Sequence, residues 1–234
     1  MAKRVMLKLS GEALGSGGWL YDHGMIDRVA GQLCKVAAQG FELAVVIGGG
    51  NIWRGRKGLA SGMDAVTADQ MGMLATVLNC LCMKDAVIRQ GGNARVMSAI
   101  PMPSVCDVFR ADKARKALSK GEIVFFAGGL GSPFFTTDTA VVLRAIEVEA
   151  DTLLLAKSID GVYTADPAVD PSATLIRSIS YSDAIKQNLK VMDMSAFAMC
   201  AEKQLKQVRV FALSEPENIL KVLQGDDMGT VLHP

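Results

Sequence analysis

Histidine is nearly absent from this chain: His23 and His233 are the only two in 234 residues. Ser-His-Asp triads, Cys-His dyads and histidine-based zinc sites therefore have almost no imidazole to draw on. The five cysteines (Cys34, Cys80, Cys82, Cys106 and Cys200) are odd in number and include no Cys-x-x-Cys pair. That usage fits reduced thiols in a cytoplasmic protein rather than a disulfide framework or a zinc ribbon. A charge imbalance is lacking too. Lys and Arg total 25 against 24 Asp and Glu, a formal net charge of +1, so no bulk field argues for a nucleic acid or membrane partner. No continuous run approaches the ~20 apolar residues of a membrane span. The apolar stretch after Met1-Ala-Lys-Arg4 is too short for a signal-peptide core.

What is present is an ordinary globular composition, 50% hydrophobic and 21% charged, with strand and helix patterns in alternation. Strands are expected over residues 3–9, 43–47, 94–100, 122–127, 152–156, 208–213 and 229–232. The 43–47 segment is continuously apolar, as in a strand buried on both faces. Helical spacing appears over residues 26–37, 67–89, 111–119, 137–149, 180–188, 195–206 and 216–224. Residues 160–171 are polar, with Asp-Gly and Asp-Pro turn signals. No repeat, low-complexity stretch or linker interrupts the chain. This order predicts a single α/β domain over residues 1–234, a mostly parallel sheet with helices on both faces.

Two glycine-rich junctions follow apolar strands: Ile47-Gly-Gly-Gly-Asn51 and Ala127-Gly-Gly-Leu-Gly-Ser-Pro-Phe-Phe-Thr-Thr-Asp138. Backbone amides at a strand-to-helix turn, aided by the helix N-terminus, suit an anion such as phosphate. Two junctions suit two phosphate-bearing molecules. The Walker A pattern is missing, and so is Gly-x-Gly-x-x-Gly, because Trp53 and Phe134 occupy its third position. No protein-kinase catalytic loop occurs either.

Several side chains stand where they could serve such a site, each with a plainer reading. Lys8 ends the first strand beside Ser10-Gly11 and can place a point charge on phosphate oxygens, or it faces water. Arg54 follows the triple glycine and can grip a phosphate bidentately, or it pairs a surface carboxylate. Asp69 near a helix start can accept from ribose hydroxyls, or merely stabilise the helix. Thr136, Thr137 and Asp138 open a helix and can act as caps; Asp138 can also hold nearby lysines in position. Lys157 follows an apolar strand. Tyr163 can pack on a base and Asp166 can accept from a sugar, or both belong to an ordinary turn.

Taken together, the segments Lys8-Leu-Ser-Gly-Glu-Ala-Leu14, Val46-Ile-Gly-Gly-Gly-Asn-Ile-Trp-Arg-Gly55, Asp69-Gln-Met-Gly-Met73, Pro133-Phe-Phe-Thr-Thr-Asp138, Asp160-Gly-Val-Tyr-Thr-Ala-Asp-Pro167 and Leu189-Lys-Val-Met-Asp193 resemble the bacterial-type uridylate (UMP) kinases of the amino acid kinase superfamily. The resemblance runs nearly the whole chain in order. It implies a three-layer α/β/α sandwich around a mostly parallel sheet. It also implies transfer of the γ-phosphoryl group of ATP to UMP, with Mg²⁺, in pyrimidine nucleotide (CTP) biosynthesis. By the same resemblance the protein is a homohexamer, inhibited by UTP and activated by GTP. ATP would meet Lys8, Leu9, Ser10, Gly11, Gly50, Arg54, Lys157, Tyr163 and Asp166. UMP would meet Gly49, Asp69, and Leu130, Gly131, Ser132, Pro133, Phe134, Phe135, Thr136 and Thr137. The catalytic set would be Lys8, Arg54, Asp138 and Lys157, with acceptor binding mainly N-terminal and ATP binding mainly C-terminal.

The chain departs from the family pattern in places. Leu130-Gly131-Ser132 replaces a common Thr-Gly-Asn, removing two polar side chains near the acceptor phosphate. Trp19-Leu20-Tyr21 replaces the usual residues of a segment that relatives use in GTP activation. Alignment around Lys157 is open by one position. Two other readings stay in view: a superfamily enzyme acting on a carboxylate or carbamate, and a non-catalytic oxyanion-binding protein of this fold.

Overall fold

The computed structural model describes residues 3–55, 58, 62–189 and 191–234. Its centre is a nine-stranded sheet. The strands of the first part are β1 (Arg4–Leu9), β2 (Glu42–Ile47), β3 (Ala94–Ser98), β4 (Asp107–Val108) and β5 (Ile123–Ala127). Those of the second part are β6 (Thr152–Lys157), β9 (Ser178–Ser180), β10 (Val208–Ala212) and β11 (Thr230–His233). The spatial order is β4-β3-β5-β2-β1-β6-β10-β11-β9. Every pairing is parallel except β10 with β11. A separate antiparallel pair, β7 (Val162–Tyr163) and β8 (Leu175–Ile176), lies within and just beyond the polar turn stretch. The expected mostly parallel α/β architecture is therefore present. The short strands β4, β7, β8 and β9 were not anticipated, because two or three residues are too few to display a period.

Helices cover both faces. On one side lie α1 (His23–Ala38), α2 (Ala65–Arg89) and α7 (Asn218–Leu223), packed on Val5, Leu7, Leu9, Val45 and Ile47. On the other lie α3 (Ala111–Leu118), α4 (Thr137–Glu147), α5 (Tyr181–Lys186) and α6 (Met194–Glu202), packed with Met6, Ala44, Val46, Leu153 and Leu155. Alternate side chains of a strand point to opposite faces. Lys8 therefore shares its face with Met6, and Lys157 shares its face with Leu153 and Leu155. Both lysines are thus on the side of the sheet that α4 covers.

Local chemistry sets the helix starts. Asp22, Asp64, Thr136, Ser180 and Asp193 each accept a hydrogen bond from a backbone N–H in the first turn of the helix that follows, as N-cap residues do. The helix after the second glycine junction is capped by Thr136 rather than Thr137. By length and composition α2 matches a membrane span, and 44% of its most apolar window is buried inside the molecule. The five cysteines are unpaired.

Candidate active site

β1 is flanked by β2 and β6. The chain leaves β1 toward β2 and comes back to β6 after building one wing of the sheet. In open parallel sheets the crevice at such a reversal, beyond the carboxyl ends of the strands, is where ligands bind. Lys8 and Lys157 stand at those ends. Between them sits Asp138, in the first turn of α4. Lys8 Nζ is 2.9 Å from Asp138 Oδ1, and Lys157 Nζ is 3.4 Å from Oδ2. All three side chains are at most 21% exposed. Asp138 Oδ1 is buried against Lys8, whose ammonium carries three N–H donors and so can serve another acceptor as well. Lys157 also donates to the carbonyl of Val191. Burial pushes the Lys157 ammonium below the ordinary lysine pKa; Asp138 opposes that shift and Lys8 adds to it.

Two cavities adjoin this bridge. One, of about 150 Å³, is walled by Gly49, Asp69, Ser132, Phe135, Thr136 and Thr137 together with Trp53 and residues of α2. The other, of about 420 Å³, is walled by Lys157, Tyr163, Asp166 and the segment around Leu189. Thr137 in the first wall precedes Asp138, whose carboxylate holds Lys157 of the second. The Asp138–Lys157 ion pair thus links the walls of the two spaces, while Lys8 and Asp138 themselves line neither.

The remaining expected residues are distributed as follows. The first glycine loop lies against β1 and α4: Gly48 N donates to Leu9 O at 3.0 Å, and a Cβ on Gly48 would stand 3.8 Å from Thr137 Oγ1. Among the described residues Gly49 N and Gly50 N have no acceptor. The second glycine loop has spent more of its amides on the protein. Gly128 N donates to Thr76 Oγ1 (2.8 Å), Gly131 N to Gly128 O (2.9 Å) and Phe134 N to Asp69 Oδ2 (2.7 Å). The first amides of α4, Asp138 N and Thr139 N, go to Thr136 Oγ1. Asp69 is on the cavity wall with one oxygen already engaged. Leu130, Gly131, Pro133 and Phe134 shape the loop but do not wall either cavity. Phe134 is 71% exposed with φ +70°. Leu9 is fully buried, so only its backbone can face a ligand. Ser10 and Gly11 lead into a short 3-10 turn, with Ala13 N donating to Ser10 O.

Arg54 is ion-paired with Glu12, both more than half exposed, and does not join the lysine pair. Gly50 lies beside the same Glu12. Tyr163 donates its hydroxyl to Asp160 (2.8 Å). Asp166 Oδ1 accepts from Ala168 N (2.9 Å), a side-chain turn that fixes the rim of the larger cavity.

Three residues of the site were not singled out from sequence. Asp193 accepts from Thr136 Oγ1, from Thr139 Oγ1 (2.9 Å), from Ser195 Oγ (3.0 Å) and from Ala196 N (2.9 Å). It thereby ties the start of α4 to the start of α6. Burial pushes its carboxyl up, but the hydroxyl and amide donors outweigh it and leave the pKa below the ordinary Asp value. Its sequence signal was an Asp directly before a helical pattern. Trp53 walls the smaller cavity and donates its indole N–H to Ala68 O at 2.8 Å. Glu12, the partner of Arg54, had no distinguishing pattern.

A model of the amino acid kinase family matches residues 3–212. The chain belongs to that family. Its fold is also close to solved structures of family enzymes. The UMP kinase of Bacillus anthracis superposes with a TM-score of 0.94 at 36% identity, over 99% of this chain and 96% of that one. The UMP kinase of Ureaplasma parvum gives 0.94 at 34% identity over the full length of both. The uridylate kinase of Archaeoglobus fulgidus gives 0.72 at 26% identity, over 97% and 99%. The expected family and the three-layer fold are thereby borne out.

Proposed function

We propose that this protein is a UMP kinase, moving the γ-phosphoryl group of ATP onto a phosphate oxygen of UMP to give UDP and ADP. The observation that carries the reading is the pair of lysines sharing Asp138, with one cavity walled by the neighbouring Thr137 and the other by Lys157. The near-full-length similarity to two UMP kinases supports it.

The chemistry suits this chain's own groups. The accepting phosphate oxygen is anionic near neutral pH, so no base has to remove a proton from it. The obstacle is repulsion between two polyanions. Alignment and neutralisation are what the site offers. Lys8 meets the transferring group, and Lys157 meets the ATP phosphates. The Gly49 and Gly50 amides, without an acceptor among the described residues, contribute two further donors. Asp138 keeps the two ammonium groups apart from each other and aimed at the gap. Positive charge that tightens on the transferring group lowers the barrier most. Arg54 leaves Glu12 for a phosphate when nucleotide enters. Asp69 takes ribose hydroxyls of UMP with its remaining capacity, and the loop from Leu130 to Thr137 closes over the acceptor. Tyr163 and Asp166 border the nucleoside of ATP.

Among the described residues no three carboxylate, imidazole or thiol groups converge. That donor set fits Mg²⁺ arriving on the phosphates of ATP as part of the substrate, since Mg²⁺ retains waters and phosphate ligands readily.

The reading extends to a cytoplasmic homohexamer acting in pyrimidine nucleotide synthesis, with one domain spanning residues 1–234. Exposed apolar side chains on α2 (Met71, Leu74, Leu78 and Ile88) favour subunit contacts there. UTP is the expected inhibitor and GTP the expected activator, to be read from effector titrations.

The deciding experiment compares ADP release from Mg-ATP with UMP, CMP, dUMP, aspartate and acetylglutamate. UMP should be preferred clearly. Preference for an amino acid overturns the reading.

A further inference from the structure

The side chain of Asn79, on α2, is fully buried, and a buried amide must find hydrogen-bond partners. Its Nδ2 donates to Gly48 O at 2.7 Å and to Asn51 Oδ1 at 2.8 Å, and its Oδ1 accepts from Asn51 Nδ2 at 3.2 Å. Asn51 uses its Nδ2 again on Leu20 O at 2.9 Å. Both ends of the first glycine loop, Gly48 and Asn51, are therefore fastened to one side chain. Gly11 closes the same spot from the other side: a Cβ there would fall 2.3 Å from Gly48 O and 2.5 Å from Asn51 Oδ1.

The consequence follows from peptide geometry. In a planar trans peptide the carbonyl of one residue and the N–H of the next point in opposite directions. Holding Gly48 O on Asn79 therefore turns Gly49 N–H away from Asn79. Gly49 walls the smaller cavity, and its N–H has no acceptor among the described residues. The same anchor limits how far Gly50 N–H can swing. We propose that Asn79, without touching substrate, is the positioning residue that aims the Gly49 amide at a phosphoryl oxygen. This rests on the functional reading above and adds to it a residue that sets the rate rather than the affinity. An amide fixed in advance need not reorganise as charge develops, and such donors act mainly on the transition state.

The test uses Asn79→Asp, which keeps the shape and loses the donor while ionised, and Asn79→Leu, which removes all polarity. Thermal melting identifies which variants fold. In Asn79→Asp at about pH 8, kcat should fall about tenfold or more while KM for UMP and for ATP stays within about threefold. A protonated carboxyl can donate to Gly48 O again. The ratio of variant to wild-type kcat should therefore climb as pH drops toward about 5.5. Unchanged kcat in either folded variant overturns the proposal. So does a loss in which kcat and both KM values move together and the ratio is flat with pH. A wild-type protein inactive on UMP sinks the functional reading instead. The role of Asn79 is then read from glycine-labelled protein titrated with inorganic phosphate. The Gly49 amide resonance should shift in wild type and stay still in Asn79→Asp at about pH 8. A still resonance in wild type, or equal shifts in both, ends the proposal.

Discussion

Lys8 Nζ lies 2.9 Å from Asp138 Oδ1, although one residue ends the first strand and the other opens α4. The two form a close, mostly buried ion pair, and an ammonium with three N–H donors has others left for a ligand. Replacing Lys8 by Ala removes a charge from the place proposed for the meeting of two phosphates. The expected result is a fall in kcat of about 10²–10³, the size seen when one preorganised donor is lost. UMP affinity should change little. Steady-state kinetics with calorimetric UMP binding checks this, and wild-type turnover in the variant rules Lys8 out of the chemistry.

Lys157 gives a pH prediction. Burial, opposed by Asp138, holds its pKa below the ordinary lysine value. The ammonium is the useful form, so activity should be full on the acid side of that pKa and decline as pH rises through it. The alkaline limb should therefore begin below ~10.4, where a free lysine titrates. Asp138→Asn removes the carboxylate that raises the pKa. The limb should then move to lower pH, along with a lower plateau. An unmoved limb in that variant means another group controls it.

Much of this pair was legible before any fold was built. Lys8 was expected at the end of the first strand and Lys157 just after an apolar strand, but that one face receives both comes from the parallel register of β1 and β6, which sets Met6 opposite Leu153 and Lys8 opposite Leu155. The segment after Phe135 reads as a helix start, which sets Asp138 on a first turn. What the sequence could not convey is contact between distant loops. Arg54 and Glu12 pair across two turns with no shared period. Asp193 reaches Thr136 and Thr139 only once α6 docks on α4. The Asx turn of Asp166 and the strands β4, β7, β8 and β9 are set by their neighbours, since two or three residues carry no pattern of their own. Residues 67–89 showed a helical period, yet the exposure of Leu74 and Leu78 on that helix depends on what else covers α2.

Gly49 offers a steric test. A Cβ at this position would stand 2.8 Å from Ala75 Cβ and 2.9 Å from Gly72 O. The latter is helix backbone and cannot yield cheaply. Gly49→Ala should push the loop off α2, at a cost of about 1–3 kcal/mol in stability. It should lower kcat/KM for UMP more than for ATP, because Gly49 walls the cavity proposed for the acceptor. Chemical denaturation and initial rates measure the two effects. An alanine variant with normal stability and activity shows that the loop has slack.

Asp69 carries Phe134 N on Oδ2 at 2.7 Å while walling the same cavity. Asp69→Ala loses the tether and, with it, the acceptor proposed for the ribose. KM for UMP should rise about tenfold or more, the cost of leaving polar partners unpaired, with kcat far less affected. Asp69→Asn keeps an acceptor oxygen and should recover part of the loss. If both variants instead lose kcat at constant KM, the carboxylate belongs to the reaction and not to acceptor binding.

Asp193 links pH to the integrity of the site. Its carboxyl is burdened by burial yet held below the ordinary Asp pKa by Thr136, Ala196, Thr139 and Ser195. A folded pKa below the unfolded one contributes stability that is complete above ~3.9 and vanishes as pH falls through the folded value. Asp193→Asn should therefore melt below wild type near neutral pH, and the gap should narrow on acidification below ~3.9. Because Asp193 binds the cap of α4, the variant should also loosen Asp138 and lower kcat. A melting difference that stays constant down to the acid range would show that the carboxylate's charge is not what holds α4 to α6.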